Sequence, residues 1–223
     1  MDTYVIIVAG GKGSRMAAAQ PKQFLPLNGK AILHHTLEAF HRVDPTFKYI
    51  VVLPAEHMDY WKNHCAIKKI TIPHQLVEGG SERFHSVKNA LSYVAGNALV
   101  LIHDGVRPLV SKQTIKNVIQ TANTKQNAIP VLSIVDSVRE KTNGNSIARD
   151  RNNFVTVQTP QGFHSSVIKK AYEQNFHSGF TDDATVVEAL GETINLVEGN
   201  KENIKITTPA DLELAAFYLQ KGF

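Results

Sequence analysis

The chain has a single cysteine, Cys65, in 223 residues. One thiol cannot close an internal disulfide, and no Cys/His spacing suggests a zinc site. Trp61 and Ile67 flank it, which points to a buried structural thiol. No apolar run approaches the roughly 20 residues that a membrane span needs. Asp2 stands where a secretory leader would carry a cation, and the apolar run that follows is too short for one. No stretch clusters Lys and Arg with interleaved aromatics, although the net charge is +4. The mild basicity therefore reads as scattered surface lysines, and a nucleic-acid partner is not expected. These absences lead to the expectation of a cytoplasmic protein without membrane contact. Internal repeats, low-complexity segments and linkers are also missing, so residues 1–223 are expected to form one domain. A hydrophobic content of 43% supplies a substantial core for it.

What is present is an alternation of strands and helices. Tyr4–Val8, Tyr49–Leu53 and Ala98–Ile102 are continuous apolar runs, as strands covered on both faces require. Ile70–Val77 is a further strand, interrupted by Pro73. Between them, Ala31–Val43 carries Leu33, Leu37 and Phe40 on one helical face, and Glu56–His64 fits a short helix. Ser81 can cap a helix reaching Val94, and Ser111 one that runs through Ile115, Val118, Ile119 and Ala122. This order predicts an α/β, Rossmann-like, mostly parallel sheet with helices on both faces. Ligands then bind at the carboxyl ends of the strands.

The rhythm breaks after Ile129. Val131–Val138 and Phe154–Val157 are strand-like, and Asn143-Gly144 is a hairpin signal between them. A protruding β-arm over about residues 134–157 is predicted. An arm with little core of its own must pack on something, either a second subunit or its own domain. Beyond it, Ser165 starts a helix to about Asn175 and Thr181 can cap Asp182–Leu190. Thr193–Val197 and Ile204–Thr207 fit short strands. Thr208-Pro209 opens a last helix, with Leu212, Ala215, Ala216 and Leu219 inward.

The chemistry gathers at strand ends. The first strand runs into Ala9-Gly10-Gly11-Lys12-Gly13-Ser14-Arg15-Met16, followed by Pro21-Lys22-Gln23. It matches neither the dinucleotide fingerprint nor the P-loop. Glycines alone leave a plain turn and a phosphate cradle both open, and Arg15 and Lys22 favour the cradle. Gly79-Gly80-Ser81 before a helix is either a turn with a cap or a ligand contact. His103-Asp104-Gly105-Val106-Arg107-Pro108 ends a buried strand, where Asp104 either pairs with Arg107 or holds a metal ion or ribose. Asp136-Ser137 with Arg151, then Gln158-Thr159-Pro160-Gln161-Gly162 and Thr181-Asp182-Asp183, read singly as a charged arm, turns and caps. In Asn203-Ile204-Lys205-Ile206-Thr207, alternation turns Lys205 away from the core, and the default is a solvated lysine.

Taken in order, these stretches span nearly the whole chain, and their combination closely resembles the 2-C-methyl-D-erythritol 4-phosphate cytidylyltransferases. The resemblance implies an enzyme that joins CTP to methylerythritol 4-phosphate with Mg²⁺ and releases pyrophosphate. It also implies a homodimer clasped through the β-arm. By position, Arg15 and Lys22 are expected to stabilise charge at the reacting phosphate. Lys205 and Arg151 are expected to orient the acceptor phosphate, with Arg151 and Ser137 offered from the partner's arm. Ala9, Gly10, Gly11, Gly13, Ser14, Gly80, Ser81 and Ser86 fall on the nucleotide. Asp104 falls near ribose, substrate and metal, and Arg107 and Thr181 fall on the acceptor side. Ser137 stands where many relatives carry threonine, and Gly105-Val106 where many have Ala-Ala or Ala-Val. Competing readings are a ribitol-5-phosphate or other polyol-phosphate cytidylyltransferase, a glycosyltransferase of related fold, and a nucleotide-binding protein without catalysis. For the glycosyltransferase, the expected Asp-x-Asp metal site is missing.

Overall fold

A computed structural model describes residues 1–10 and 20–223. In chain order, β1 (Asp2–Val8) leads to a 3₁₀ turn (Lys22–Phe24), the short pair β2 (Pro26–Leu27) and β3 (Lys30–Ala31), and α1 (Ile32–His41). Next come β4 (Lys48–Leu53), α2 (Ala55–Lys68), β5 (His74–Glu78), α3 (Arg83–Leu91), β6 (Ala98–Asp104) and α4 (Lys112–Lys125). The second half holds β7 (Asn127–Ser133), β8 (Val138–Thr142), β9 (Asn145–Arg149), β10 (Val155–Val157) and β11 (Gln161–His164). It closes with α5 (Ser165–Ala171), α6 (Asp183–Glu188), β12 (Leu196–Glu198) and α7 (Pro209–Gln220).

The main sheet has the order β10-β7-β11-β6-β1-β4-β5, with β12 added to β7. Its half from β6 to β5 is parallel, whereas β11 and β10 pair antiparallel. The period of two along β1 divides the core. Tyr4 and Ile6 join Ile50, Val52, Val100 and Ile102 under α3, α5 and α6. Val5 and Ile7 join Val51, Leu53, Leu99 and Leu101 under α1 and α4. Both faces being covered is the reason these strands read as unbroken apolar runs. Burying a side chain such as Ile6 fully is worth about 1.5–3 kcal/mol. The chain travels from β1 to β4 and β5, then crosses back to place β6 on the other side of β1. That reversal opens a crevice at the carboxyl ends of β1 and β6, where Val8 and Asp104 lie in register.

Several boundaries differ from expectation. Ser81 does not cap α3. Glu82 stands at the N-cap with no side-chain bond, while Ser86 folds its hydroxyl back to the Glu82 carbonyl. Asp182, not Thr181, caps α6, in a capping box with Thr185. Its carboxylate also accepts from Gln161, which fixes the helix start one residue later. Ser111 caps α4 as expected, accepting from Thr114 N–H. β5 begins only after Pro73, α2 runs past His64 to Lys68, α5 ends at Ala171, and β12 begins at Leu196.

Ile204–Thr207 is not a strand. It crosses the carboxyl ends of the sheet, where Ile206 N–H donates to the Val106 carbonyl at 2.9 Å and Ile204 N–H makes a local bond to the Glu202 carbonyl at 2.7 Å. The buried Asn203 side chain anchors it instead, donating to the Thr159 carbonyl at 2.8 Å.

The arm is present as a hairpin. β8 and β9 pair antiparallel through a two-residue turn, with Asn143 at φ +26° and Gly144 at φ +87°. Both residues occupy the left-handed side that this turn demands, the reason for the Asn-Gly signal. The hairpin has almost no buried residue, and Val135, Ile147, Phe154, Val155 and Val157 are exposed at or beside it. β10 roots it on β7. No helix among the described residues is long and apolar enough to cross a membrane. Cys65 is half-buried rather than buried as expected, and burial pushes its thiol up to about 11.

Candidate active site

The crevice is a cleft of about 220 Å³ lined by Ala9, Gly10, Lys22, Gln23, Gly80, Ser81, Arg83, Ser86, Asp104 and Lys205, among others. The end of β1 contributes Ala9 and Gly10, and the turn after β5 contributes Gly80 and Ser81. Ser86 reaches in from the first turn of α3, where its hydroxyl also accepts from Gly80 N–H at 3.1 Å. A Cβ on Gly80 would stand 2.3 Å from the His85 Cβ, so the close turn onto α3 requires glycine there. Gly105 is equally constrained, because an added Cβ would meet that of Ala9 at 2.8 Å. Glycine at this position lets the ends of β1 and β6 close on each other. The position tolerates less side chain here than an exchange with alanine suggests.

Asp104 is the electrostatic centre. Its Oδ2 lies 3.1 Å from Arg107 Nε and 3.1 Å from Lys205 Nζ, and its Oδ1 lies 3.8 Å from Arg83 Nε. Burial pushes the carboxyl up, but Arg83, Lys205 and Arg107 together hold it well below the usual carboxylate range. The local pair with Arg107 and the cleft carboxylate were alternatives on sequence; the structure makes them one arrangement. Lys205 is not a lone solvated lysine. The segment that carries it is pinned by Asn203, whose carbonyl also accepts from Arg107 Nη1 at 2.8 Å.

His103 braces Asp104 from behind. Its Nε2 lies 3.0 Å from the Arg107 carbonyl, so that nitrogen carries the proton. Its Nδ1 then accepts from the Thr159 hydroxyl at 3.0 Å, and that hydroxyl oxygen accepts Asp104 N–H at 3.1 Å. Burial holds the ring neutral, with its pKa pushed down to about 4. The unfolded chain takes up a proton near pH 6.5 that the folded chain refuses until about pH 4. Stability is therefore expected to fall as the pH drops through that window, by on the order of 3 kcal/mol from this group. Urea unfolding across the window checks this, and His103→Gln should flatten the profile.

Gly11, Gly13, Ser14 and Arg15 lie outside the described residues. Of the other expected positions, Ala9, Gly10, Lys22, Gly80, Ser81, Ser86, Asp104 and Lys205 converge on the cleft, and Arg107 touches it through Asp104. Three do not line it. Ser137 and Arg151 are exposed on the arm, where Arg151 donates to the Val135 carbonyl. Thr181 precedes α6.

Arg83, Asp183 and Gln23 were missed as site residues. Arg83 and Asp183 are 100 residues apart and form a two-pronged ion pair, at 2.9 and 2.6 Å. Asp183 lies inside the Thr181-Asp182-Asp183 motif and Arg83 two residues beyond Gly79-Gly80-Ser81, but nothing in one sequence joins them. Gln23 is buried, and neither its amide oxygen nor its nitrogen has a hydrogen-bond partner among the described residues.

The model of the family IspD, 2-C-methyl-D-erythritol 4-phosphate cytidylyltransferase, matches residues 3–221. The chain belongs to this family. A 2-C-methyl-D-erythritol 4-phosphate cytidylyltransferase of Phocaeicola vulgatus is 50% identical over 215 residues, covering 96% of this chain and 98% of the relative. One from Clostridium perfringens is 40% identical over 219 residues, covering 96% of this chain and 97% of the relative. The crystal structure of the Anaerococcus prevotii 4-diphosphocytidyl-2C-methyl-D-erythritol synthase superposes with a TM-score of 0.84 at 28% identity, covering 98% of each chain. That of the Thermus thermophilus cytidylyltransferase gives 0.80 at 31%, covering 99% of this chain and 100% of the other. The α/β sheet is thus that of the IspD fold, and the expected family and fold are borne out.

Proposed function

We propose that the chain transfers the cytidylyl group of CTP to 2-C-methyl-D-erythritol 4-phosphate. The products are 4-diphosphocytidyl-2-C-methyl-D-erythritol, an isoprenoid precursor, and pyrophosphate. The observation that carries the reading is the convergence of Lys22, Lys205 and Asp104 on one cleft beside Gly10, Gly80 and Ser86. The nucleophile is the acceptor's phosphate monoester, whose second pKa is about 6. It is mostly dianionic at neutral pH, so no general base is required. The difficulty is bringing one anion onto another, in line with the leaving pyrophosphate.

Each residue then has a definite task. The backbone at Gly10 and Gly80, with Ser81 and Ser86, holds the nucleotide. Lys22, and Arg15 from the loop outside the described residues, stabilise charge at the α-phosphate. Lys205, braced by Asp104, orients the acceptor phosphate, with Thr181 and Arg107 on the same side. Arg151 and Ser137 do so from the arm of a second copy, which makes the homodimer part of the site.

Asp104 fits Mg²⁺ because it is a hard oxygen donor kept ionised in the cleft. Magnesium is commonly held through one or two carboxylates, phosphate oxygens and water. Asp104 would hold it together with the triphosphate, and the ion would neutralise phosphate charge. Purified protein with CTP and Mg²⁺ should release pyrophosphate only when methylerythritol phosphate is added. Release without an acceptor, or none with it, would overturn the proposal.

A further inference from the structure

The cleft's guanidinium, Arg83, is held from behind. Asp183 is wholly buried and opens α6. Its two oxygens accept Arg83 Nη1 at 2.9 Å and Nη2 at 2.6 Å, and Oδ1 also accepts the Tyr172 hydroxyl at 2.6 Å. A fork engaged at both tips fixes the plane of the guanidinium. Its remaining edge, Nε, then faces Asp104 Oδ1 at 3.8 Å. Arg107 and Lys205 hold the opposite oxygen, so the carboxylate is gripped from both edges.

The pair is not the sole link between these elements. Phe84 stacks on Tyr172 at 4.7 Å and on Phe180 at 5.6 Å, which already joins α3 to the segment before α6. A buried ion pair adds little stability over apolar packing of the same volume. What it adds here is direction. α6 is also registered on β11, because Ala184 N–H donates to Gln161 Oε1 at 2.9 Å and Gln161 Nε2 donates to Asp182 at 2.7 Å. Thr181 lies two residues before Asp183. One strut thus connects the loop on the acceptor side, through Arg83, to the nucleotide side of the cleft.

We propose that Asp183 is a positioning residue for the transfer reaction. It orients Arg83, and through Arg83 sets the Asp104 carboxylate and the spacing between the two substrates. The inference rests on the cytidylyltransferase reading.

The test compares Asp183→Asn, Arg83→Lys and the double variant with wild type. The measurements are kcat, the KM for CTP, CTP affinity by calorimetry, and urea midpoints. Misplacing reactants by about 1 Å costs on the order of a hundredfold, so Asp183→Asn should lower kcat by at least about tenfold. Gly10, Gly80 and Ser86 are left in place, so the KM and the affinity for CTP should change less than about threefold. Arg83→Lys keeps the cation but loses the fork, and should fall alike. The double variant should be no worse than the poorer single, because the two act as one unit. Rates are counted per CTP-binding site, which removes any loss of folded protein. A kcat within about twofold of wild type in either single variant, or losses that multiply in the double, would overturn the inference. If Asp183→Asn does not fold, Arg83→Lys carries the same comparison. The wild-type rate tests the functional reading separately. The variants are measured with whichever polyol phosphate the wild type accepts, so the two can fail independently.

Discussion

Replacing Lys22 with alanine should lower turnover by about a hundredfold or more while leaving the fold intact. Removal of one preorganised donor at a developing charge has a cost of that order. Lys22 opens a single 3₁₀ turn whose other residues, Gln23 and Phe24, do the packing. Phe24 is buried against Trp61 and Tyr60, with ring centroids 5.9 and 4.8 Å away. The lysine side chain lines the cleft and can be removed without opening that core. The loss should fall mainly on kcat, because the charge it meets grows as pyrophosphate departs. Steady-state kinetics with an unchanged urea midpoint would bear this out, and near-normal turnover would remove the role assigned to it.

The sheet was legible because its strands are buried on both faces. Tyr49–Leu53 and Ala98–Ile102 have few other ways to be satisfied, and both are found within strands. Helix starts were less legible. Asp182 settles its helix start through Gln161, 21 residues away, which no local window contains. The site divides the same way. The glycine turns and His103-Asp104 were visible as strand ends. The placing of Lys205 depends on Asn203 reaching Thr159, a contact across 44 residues. The Arg83–Asp183 pair likewise has no local pattern to betray it. Ile204–Thr207 shows the converse. Its alternation is real, with Ile206 buried and Lys205 exposed, but the backbone there meets a loop rather than a strand edge.

The second large effect is a recovery. Arg151→Ala and Lys205→Ala chains should each be nearly inactive alone, and active again when combined in one dimer. The arm's exposed apolar residues, Ile147, Phe154, Val155 and Val157, are what a second copy would cover. Arg151 stands on that arm and does not line the cleft of its own chain. If the site takes Arg151 from one chain and Lys205 from the other, each mixed dimer holds one complete site and shows about half of wild-type activity. Differently tagged chains, co-expressed and purified as the mixed species, supply the sample. Mixed dimers that stay inactive would show that each arm serves its own chain.

This cleft should join a cytidylyl group to one particular polyol phosphate. Competition between methylerythritol 4-phosphate and ribitol 5-phosphate for limiting CTP, with both products followed by mass, tests it most directly. The methylerythritol product should dominate, and pyrophosphate should appear in equal amount. A mixture dominated by the ribitol product, or CTP left unconsumed, would contradict it.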